Sequence, residues 1–348
     1  MESIRIWVAA ILMVGAQALL SQAPTPLALS GDYEFTHDPS IAAENGTYYV
    51  FATGAAPGGG QFPIRCSHDL TEWKFCGHVF DSVPAWIHEA SPKTRDLWAP
   101  DISFFNGKYH LYYAYSSFGV NMSGIALVTN ETLDPSSPNY HWNDEGLVLA
   151  SSASDDFNAI DPNIVFDEDG QPWLSFGSFW SGIKMRRINA STGKTDDSDK
   201  TLYSLASRAK PENAEPAKPG LPPDWEAIEA PFIVRHKDYY YLFVSFDLCC
   251  RGTSSTYRVM VGRSKVVTGP YVDADGTPML QGGGTQLLGA NSRWLGPGGE
   301  SILQRLGGDI IVFHAYDAKT GKPALQISTL TWCDDWPHAA LGTTGEAK

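Results

Sequence analysis

Apolar residues along the chain come in short runs, each closed by a polar or glycine-bearing turn, and no long stretch carries the i, i+3, i+4 spacing of an amphipathic helix. Five passages follow one plan. They are DPSIAAENGTYYVFATG from Asp38, APDISFFNGKYHLYYAYSSFG from Ala99, DPNIVFDEDGQPWLSFGSFWSGI from Asp161, APFIVRHKDYYYLFVSFD from Ala230 and GESILQRLGGDIIVFHAYD from Gly299. Each sets a short apolar strand, a turn and a second strand rich in Tyr, Phe and Val. The turns ENGT, FNGK and EDGQ carry Asn-Gly or Asp-Gly, which close tight hairpins because these residues tolerate positive φ. Pro39, Pro100, Pro162 and Pro231 open four of the copies, where a missing N–H costs least and the residue before is expected to be extended. TGKTDDSDK and AKPENAEPAKPGLPPD read as polar loops.

The copies recur roughly every 60 to 70 residues, longer than the about 40 to 45 of a compact blade repeat, so the pattern predicts four-stranded blades with long connecting loops. Five units predict an all-β, five-bladed β-propeller. Two β-sandwiches, the rival arrangement for a chain of 348 residues, would show no such even spacing. Because radial packing closes a ring, residues 24–348 are expected to form one domain.

Composition and charge narrow the partners. A formal net charge of −14 with only 25 Lys and Arg argues against nucleic acid, whose binding is built on clustered cations. Neutral ligands fit better, and 11 Trp, 15 Tyr and 16 Phe supply flat faces for sugar rings as well as for a core. Near the N-terminus Arg5 precedes the apolar run IWVAAILMVGAQALL, and SQA at 21–23 gives small residues for cleavage, so residues 1–23 read as a secretory signal peptide. No later segment approaches the roughly 20 apolar residues that span a bilayer. The mature chain is expected to be secreted, extracellular and monomeric, with no membrane partner. Cys66, Cys76, Cys249, Cys250 and Cys333 show no paired C-x-x-C spacing for zinc. A Cys66–Cys76 bridge across a hairpin is one open pairing, and the odd count leaves one thiol free. Sequons at Asn45, Asn121, Asn130 and Asn189 would make a glycoprotein in a eukaryotic secretory path.

Aligned on their prolines, the copies differ where folding does not require it. Asp38 and Asp161 stand before Pro, whereas Ala99 and Ala230 hold the same place, so a small residue suffices for the fold. Glu229 comes one position earlier in the fourth copy, where the second has Trp98. A single Asp-Pro reads as a turn cap; three acids at equivalent blade starts converge on one central depression, which capping does not explain. Asp224 and Glu226 lie near Glu229 but out of this register, and Asp101 is left between strand-start hydrogen bonding and the site. Separated carboxylates in a neutral, aromatic-lined pocket suit glycosidic cleavage, which needs a protonated acid at the leaving oxygen and a carboxylate on the opposite face.

The segments HDPS at His37, LWAPDI at Leu97, AIDPNI at Ala159, GSFWSGI at Gly177, EAPF at Glu229, CCRGTSSTY at Cys249 and GPGGES at Gly296 together resemble the family 43 glycoside hydrolases, and within them the endo-1,5-α-L-arabinanases. The resemblance covers nearly the whole mature chain. It implies a five-bladed propeller acting on arabinan of the plant cell wall by inversion, with Asp38 as general base, Glu229 as general acid and Asp161 as the group that orients Glu229 and raises its pKa. Inversion would place Asp38 and Glu229 roughly 6.5 to 9.5 Å apart. The resemblance further implies that His37, Trp98, Phe118, Asn158, Ser178 and Trp180 line the cleft, and that His314 helps hold a central ion, often Ca2+, mostly through waters. No organic cofactor is implied. Where many bacterial relatives read Gly-Pro-Gly-His-Asn, this chain has GPGGES. An exo-acting arabinofuranosidase or xylosidase on the same fold is the alternative, and a non-catalytic carbohydrate-binding propeller a more distant one.

Overall fold

The computed structural model describes residues 23–215, 217 and 221–343; all but the last residue of the expected signal peptide lies outside them. Strands dominate, and among the described residues no helix is long and apolar enough to cross a membrane. Blade I comprises Ser40–Glu44, Thr47–Phe51, Gln61–Ser67 and Glu72–Phe80, blade II Trp98–Phe105, Lys108–Tyr115, Ser123–Asn130 and Asn143–Ser151. Blade III comprises Asn163–Phe166, Pro172–Phe176, Ile183–Arg187 and Tyr203–Ala206, and blade IV Ile228–His236, Tyr239–Phe246, Arg258–Ser264 and Thr285–Leu288. Each blade is an antiparallel meander numbered outward from its first strand. The five-bladed propeller read from the repeat is therefore the observed fold.

Blade V departs from the four-strand rule. It has three strands of its own, Trp294–Leu303, Ile310–Asp317 and Pro323–Thr329. Its outer edge is covered by the N-terminal segment: Leu27 N–H donates to Ile327 C=O at 2.8 Å, and Phe35 N–H to Pro323 C=O at 2.8 Å. Between those contacts Ser30–Gly31 pairs in parallel with Glu72–Phe80 on the rim of blade I. One segment thus clasps the last blade to the first, and it satisfies an otherwise open edge.

The core lies between blades. In each first strand the residue three after the blade start is isoleucine, namely Ile41, Ile102, Ile164, Ile233 and Ile302, all buried. The side chain just before it reaches the next blade and accepts the backbone N–H of that blade's isoleucine: Ser40 from Ile102 (3.0 Å), Asp101 from Ile164 (2.9 Å), Asn163 from Ile233 (2.8 Å) and Ser301 from Ile41 (3.2 Å). Phe232 holds this place on blade IV and offers no acceptor. Asp101 is thereby a strand-start hydrogen-bonding residue. Asp101→Ala should leave the Ile164 N–H buried and unpaired, costing about 2 kcal/mol and lowering the Tm by several degrees, whereas Asp101→Asn keeps an acceptor. Equal Tm values for the two variants, read by calorimetry, would contradict the assignment.

The residues before the prolines are not extended. Asp38, Ala99, Asp161 and Ala230 have φ of 45°, 45°, 56° and 52°, and Gly299 in blade V has 58°. Such a conformation costs a non-glycine residue about 1 kcal/mol or more. A second set of inter-blade contacts holds it. Thr53 Oγ1 accepts the Ala99 N–H (2.8 Å), Asp161 Oδ2 that of Ala230 (3.0 Å), Ser245 Oγ that of Gly299 (3.0 Å) and His314 Nδ1 that of Asp38 (3.2 Å). The strand register slips at Trp98/Asp101, Glu229/Phe232 and Gly298/Ser301, so Pro100 and Pro231 sit in bulges where no ladder N–H is needed.

Asn45-Gly46 and Asn106-Gly107 form two-residue turns with both φ positive, as the sequence predicts, whereas the third turn is a longer loop over 167–171. Cys66–Cys76 is a disulfide across blade I, Cys333 is free and exposed, and the adjacent Cys249 and Cys250 are joined to each other. Asn121 and Asn130 are buried, so two of the four sequons are closed to modification in the folded chain; Asn45 and Asn189 are exposed.

Candidate active site

The blade starts meet on the axis around a cavity of about 30 Å3 lined by Asp38, Ala99, Asp161, Ala230, Gly299 and Glu300, among others. That is room for one or two waters and not for a sugar ring, so a saccharide must lie above it.

Asp38 follows His37, whose Nδ1 lies 2.8 Å from Asp38 Oδ2. Thr53 Oγ1 donates to the same oxygen at 2.7 Å. The His37 ring stacks on the buried His314 ring, centroids 3.7 Å apart, and its Nε2 meets the Tyr316 hydroxyl at 2.7 Å. Burial by itself would raise the Asp38 pKa, but the charge and hydrogen bond of His37, with His314 and Thr53, hold it well below the usual carboxylate range. Burial lowers the His37 pKa, and Asp38 more than reverses this, so His37 is raised. His314 is pushed well down by burial and by His37. The result is an ionised Asp38 beside a His37 whose charged form it favours, with His314 neutral.

Glu229 is the opposite kind of carboxyl. It is buried, accepts from Ser178 Oγ at 2.6 Å on Oε2, and meets the Tyr257 hydroxyl at Oε1. Burial pushes its pKa up to about 7; the Ser178 hydrogen bond opposes this and the Asp38 charge adds to it. Asp161 is raised well above its ordinary value by burial, then by the charges of Glu229, Asp38 and Glu300. The pair therefore keeps a proton at neutral pH where Asp38 does not.

These buried acids link stability to pH. Burial raises Asp101 to about 7, Glu229 to about 7 and Glu300 to about 8. Between the unfolded carboxyl values near 4 and these folded ones, the native state binds more protons than the unfolded chain, so stability falls as pH rises. His110, His236 and His314, lowered by burial, act in the opposite sense below about 6.5, so the Tm should drop from pH 7 to pH 8 at constant ionic strength; a rise over that interval would contradict the raised values of the acids.

The remaining expected residues fall on the rim and wall. Trp98 is half-buried and meets Phe118 edge-on at 5.5 Å, and Phe118 is 77% exposed, which removes core packing as its role. Trp180, at φ 46°, lines a neighbouring groove with Val120, Met122, Leu221 and Glu226. Asn158 is buried, and its Oδ1 has no protein partner.

Residues 33–337 match the family described as Glycosyl hydrolases family 43. The chain belongs to this family. Family 43 relatives include the "Extracellular endo-alpha-(1->5)-L-arabinanase 1" of Bacillus subtilis (strain 168), 43% identical over 320 residues, 91% of this chain and 92% of the relative. The "Extracellular exo-alpha-(1->5)-L-arabinofuranosidase ArbA" of Cellvibrio japonicus (strain Ueda107) is 42% identical over 306 residues, 87% and 85% of the two chains. Among solved structures, Cellvibrio cellulosa alpha-L-arabinanase complexed with arabinohexaose aligns with a TM-score of 0.79 at 40% identity, covering 88% of this chain and 96% of that one. Membership bears out the resemblance carried by HDPS, AIDPNI and EAPF and makes the chain a glycoside hydrolase. Family 43 hydrolysis needs no organic cofactor.

A central ion in this family 43 site has mixed support from the residues present. His314 Nδ1 accepts the Asp38 N–H, so in the neutral ring Nε2 carries the proton, and Nε2 is buried without a partner. A donor in that state suits a bound water and not direct coordination of a hard cation, which prefers oxygen. Glu300 Oε1, on the adjacent strand, is a second buried atom without a partner and would be the oxygen ligand only once its carboxyl, raised to about 8 by burial, gives up its proton. The ligand atoms of His37, Asp38 and His314 lie together but already face one another.

Thr53, Tyr257, Tyr316 and Glu300 escaped the sequence reading as site residues. Tyr316 was open to inference, since it lies two residues from His314 on one strand and so shares its face. Glu300 stands where four blades have proline, a departure of the same kind that singled out Asp38.

Proposed function

We propose that the chain is an exported endo-arabinanase that hydrolyses internal α-1,5-L-arabinofuranosidic bonds of arabinan by single displacement. What supports this most is the pairing of unlike carboxyls on one axis: Asp38 ionised, Glu229 raised to about 7. In this reading Glu229 protonates the leaving oxygen and Asp38 takes a proton from the attacking water. His37 and Thr53 hold the Asp38 carboxylate in place. Asp161 orients Glu229 and raises its pKa, and by the Ala230 N–H it accepts it ties blade III to the residue after Glu229. Trp98 and Phe118 offer stacking faces, with His37, Asn158, Ser178 and Trp180 as the further cleft residues. Residues 1–23 act as the leader and 24–348 as one domain, monomeric in solution; His314 and Glu300 would hold a central Ca2+, the former through water.

Debranched arabinan is the deciding substrate. A ladder of oligosaccharides at early times is expected, and arabinose alone would overturn the endo reading. The 42% identity to the exo-acting Cellvibrio relative keeps exo cleavage as the second reading. Proton NMR of the first product should show the inverted anomer, and retention would exclude single displacement.

A further inference from the structure

We propose that the disulfide between the adjacent residues Cys249 and Cys250 is a positioning element for the Asp38 carboxylate. It holds one peptide N–H, and through Tyr316 and His37 that N–H fixes Asp38. The inference rests on the reading of Asp38 as the base.

The contacts form a series of two hydrogen bonds and one close charge contact. The Cys250 N–H donates to the Tyr316 hydroxyl at 2.8 Å, that hydroxyl meets His37 Nε2 at 2.7 Å, and His37 Nδ1 lies 2.8 Å from Asp38 Oδ2. Cys250 Sγ itself is 3.7 Å from His37 Nε2. The series joins the loop after Tyr239–Phe246 of blade IV to the middle strand of blade V and to the start of blade I, so it crosses two inter-blade joints.

Two observations separate positioning from general stabilisation. A bridge between neighbours closes a ring too small to restrict much of the unfolded chain, whereas the entropic gain of a disulfide grows with the loop it closes. Cys66–Cys76, with a separation of 10 residues, is the one suited to that role. Second, the rest of the loop is held without sulfur: Leu248 N–H donates to Thr256 Oγ1 at 3.1 Å, Thr256 N–H to Leu248 C=O at 2.8 Å, and Arg251 N–H to Ser255 Oγ at 3.0 Å. What the bridge adds is confined to the peptide it encloses. That peptide enters Cys250 at φ 64°, a conformation a non-glycine residue keeps only when its surroundings impose it. Cys250 is exposed, so a small reductant reaches it.

The test uses the full chain on debranched arabinan, comparing wild type, C249S/C250S, Tyr316→Phe and the triple variant. Each of the first two changes should lower kcat about 10- to 100-fold, with KM within about twofold. The triple variant should be no worse than the more impaired parent, because both changes cut one series. Dithiothreitol should have the same effect on wild type: the S–S bond takes up two electrons and two protons to give two thiols while the reagent closes to its cyclic disulfide. Iodoacetamide labelling with mass spectrometry reports the reduction, and reoxidation should restore kcat. Because the reagent also reaches Cys66–Cys76, C66S/C76S is treated in parallel and should respond as wild type does. A double-serine variant with wild-type kcat overturns the proposal, as do losses that multiply in the triple variant. If the double-serine variant does not fold, Tyr316→Phe with its disulfide intact decides, since further loss on reduction overturns the proposal and indifference supports it. Failure of the base reading shows separately, as an active Asp38→Asn enzyme with unmodified cysteines.

Discussion

Glu229→Gln is expected to lower kcat on linear arabinan by about 10²- to 10⁴-fold, the range for losing a positioned general acid, with little change in Tm. Gln keeps an acceptor for Ser178 and fills the same buried space, so the loss isolates the proton. The wild-type rate should fall as pH rises through about 7, where Glu229 deprotonates, and this limb should vanish in the variant. An arabino-oligosaccharide carrying a dinitrophenol leaving group needs no protonation at the departing oxygen. On it the variant should recover most of its activity. Equal losses on both substrates would remove Glu229 from the acid role, and a rate within tenfold of wild type on arabinan would remove it from the chemistry.

Asp38→Asn should be as severe on arabinan, but with the opposite response to the leaving group. Deprotonation of water is needed whatever departs, so the dinitrophenyl substrate should give no recovery. Azide, which attacks without losing a proton, should restore turnover and yield the inverted glycosyl azide. The substitution also removes the charge that holds the His37 pKa up, so His37 should titrate lower in the variant, as a histidine proton resonance followed against pH would show. Unchanged His37 titration would mean that the Asp38 charge is not what sustains it. Recovery by a good leaving group in both variants would mean that the roles of the two acids are not divided as proposed.

The blade plan was legible because folding repeats it. The proline that opens four copies and the Asn-Gly or Asp-Gly turn carried by three are each tied to a local requirement, so they recur. The same comparison exposed Asp38 and Asp161, since Ala99 and Ala230 show what the fold alone needs. Three things were not legible. The left-handed φ of the blade starts comes from acceptors on the preceding blade, Thr53, Asp161, Ser245 and His314, which no local propensity announces. Tyr257 reaches Glu229 across 28 residues and a strand pairing. The N-terminal segment TPLALSGDYEF has neither the alternation nor the turn signals of a strand, because its pairing is divided between two blades.

That divided pairing bears on how the molecule is made. Thr25 and the Thr329 side chain it donates to are separated by 304 positions. At about 5 to 20 residues per second of synthesis, the segment waits roughly 15 to 60 s for its partner. Until then blade V does not exist, the ring is open, and the apolar faces of blades IV and I that pack against blade V are uncovered. The segment that precedes blade I is thus used last, as a latch that shuts only on a finished circle, and a chain halted before blade V would leave those two apolar faces open to solvent.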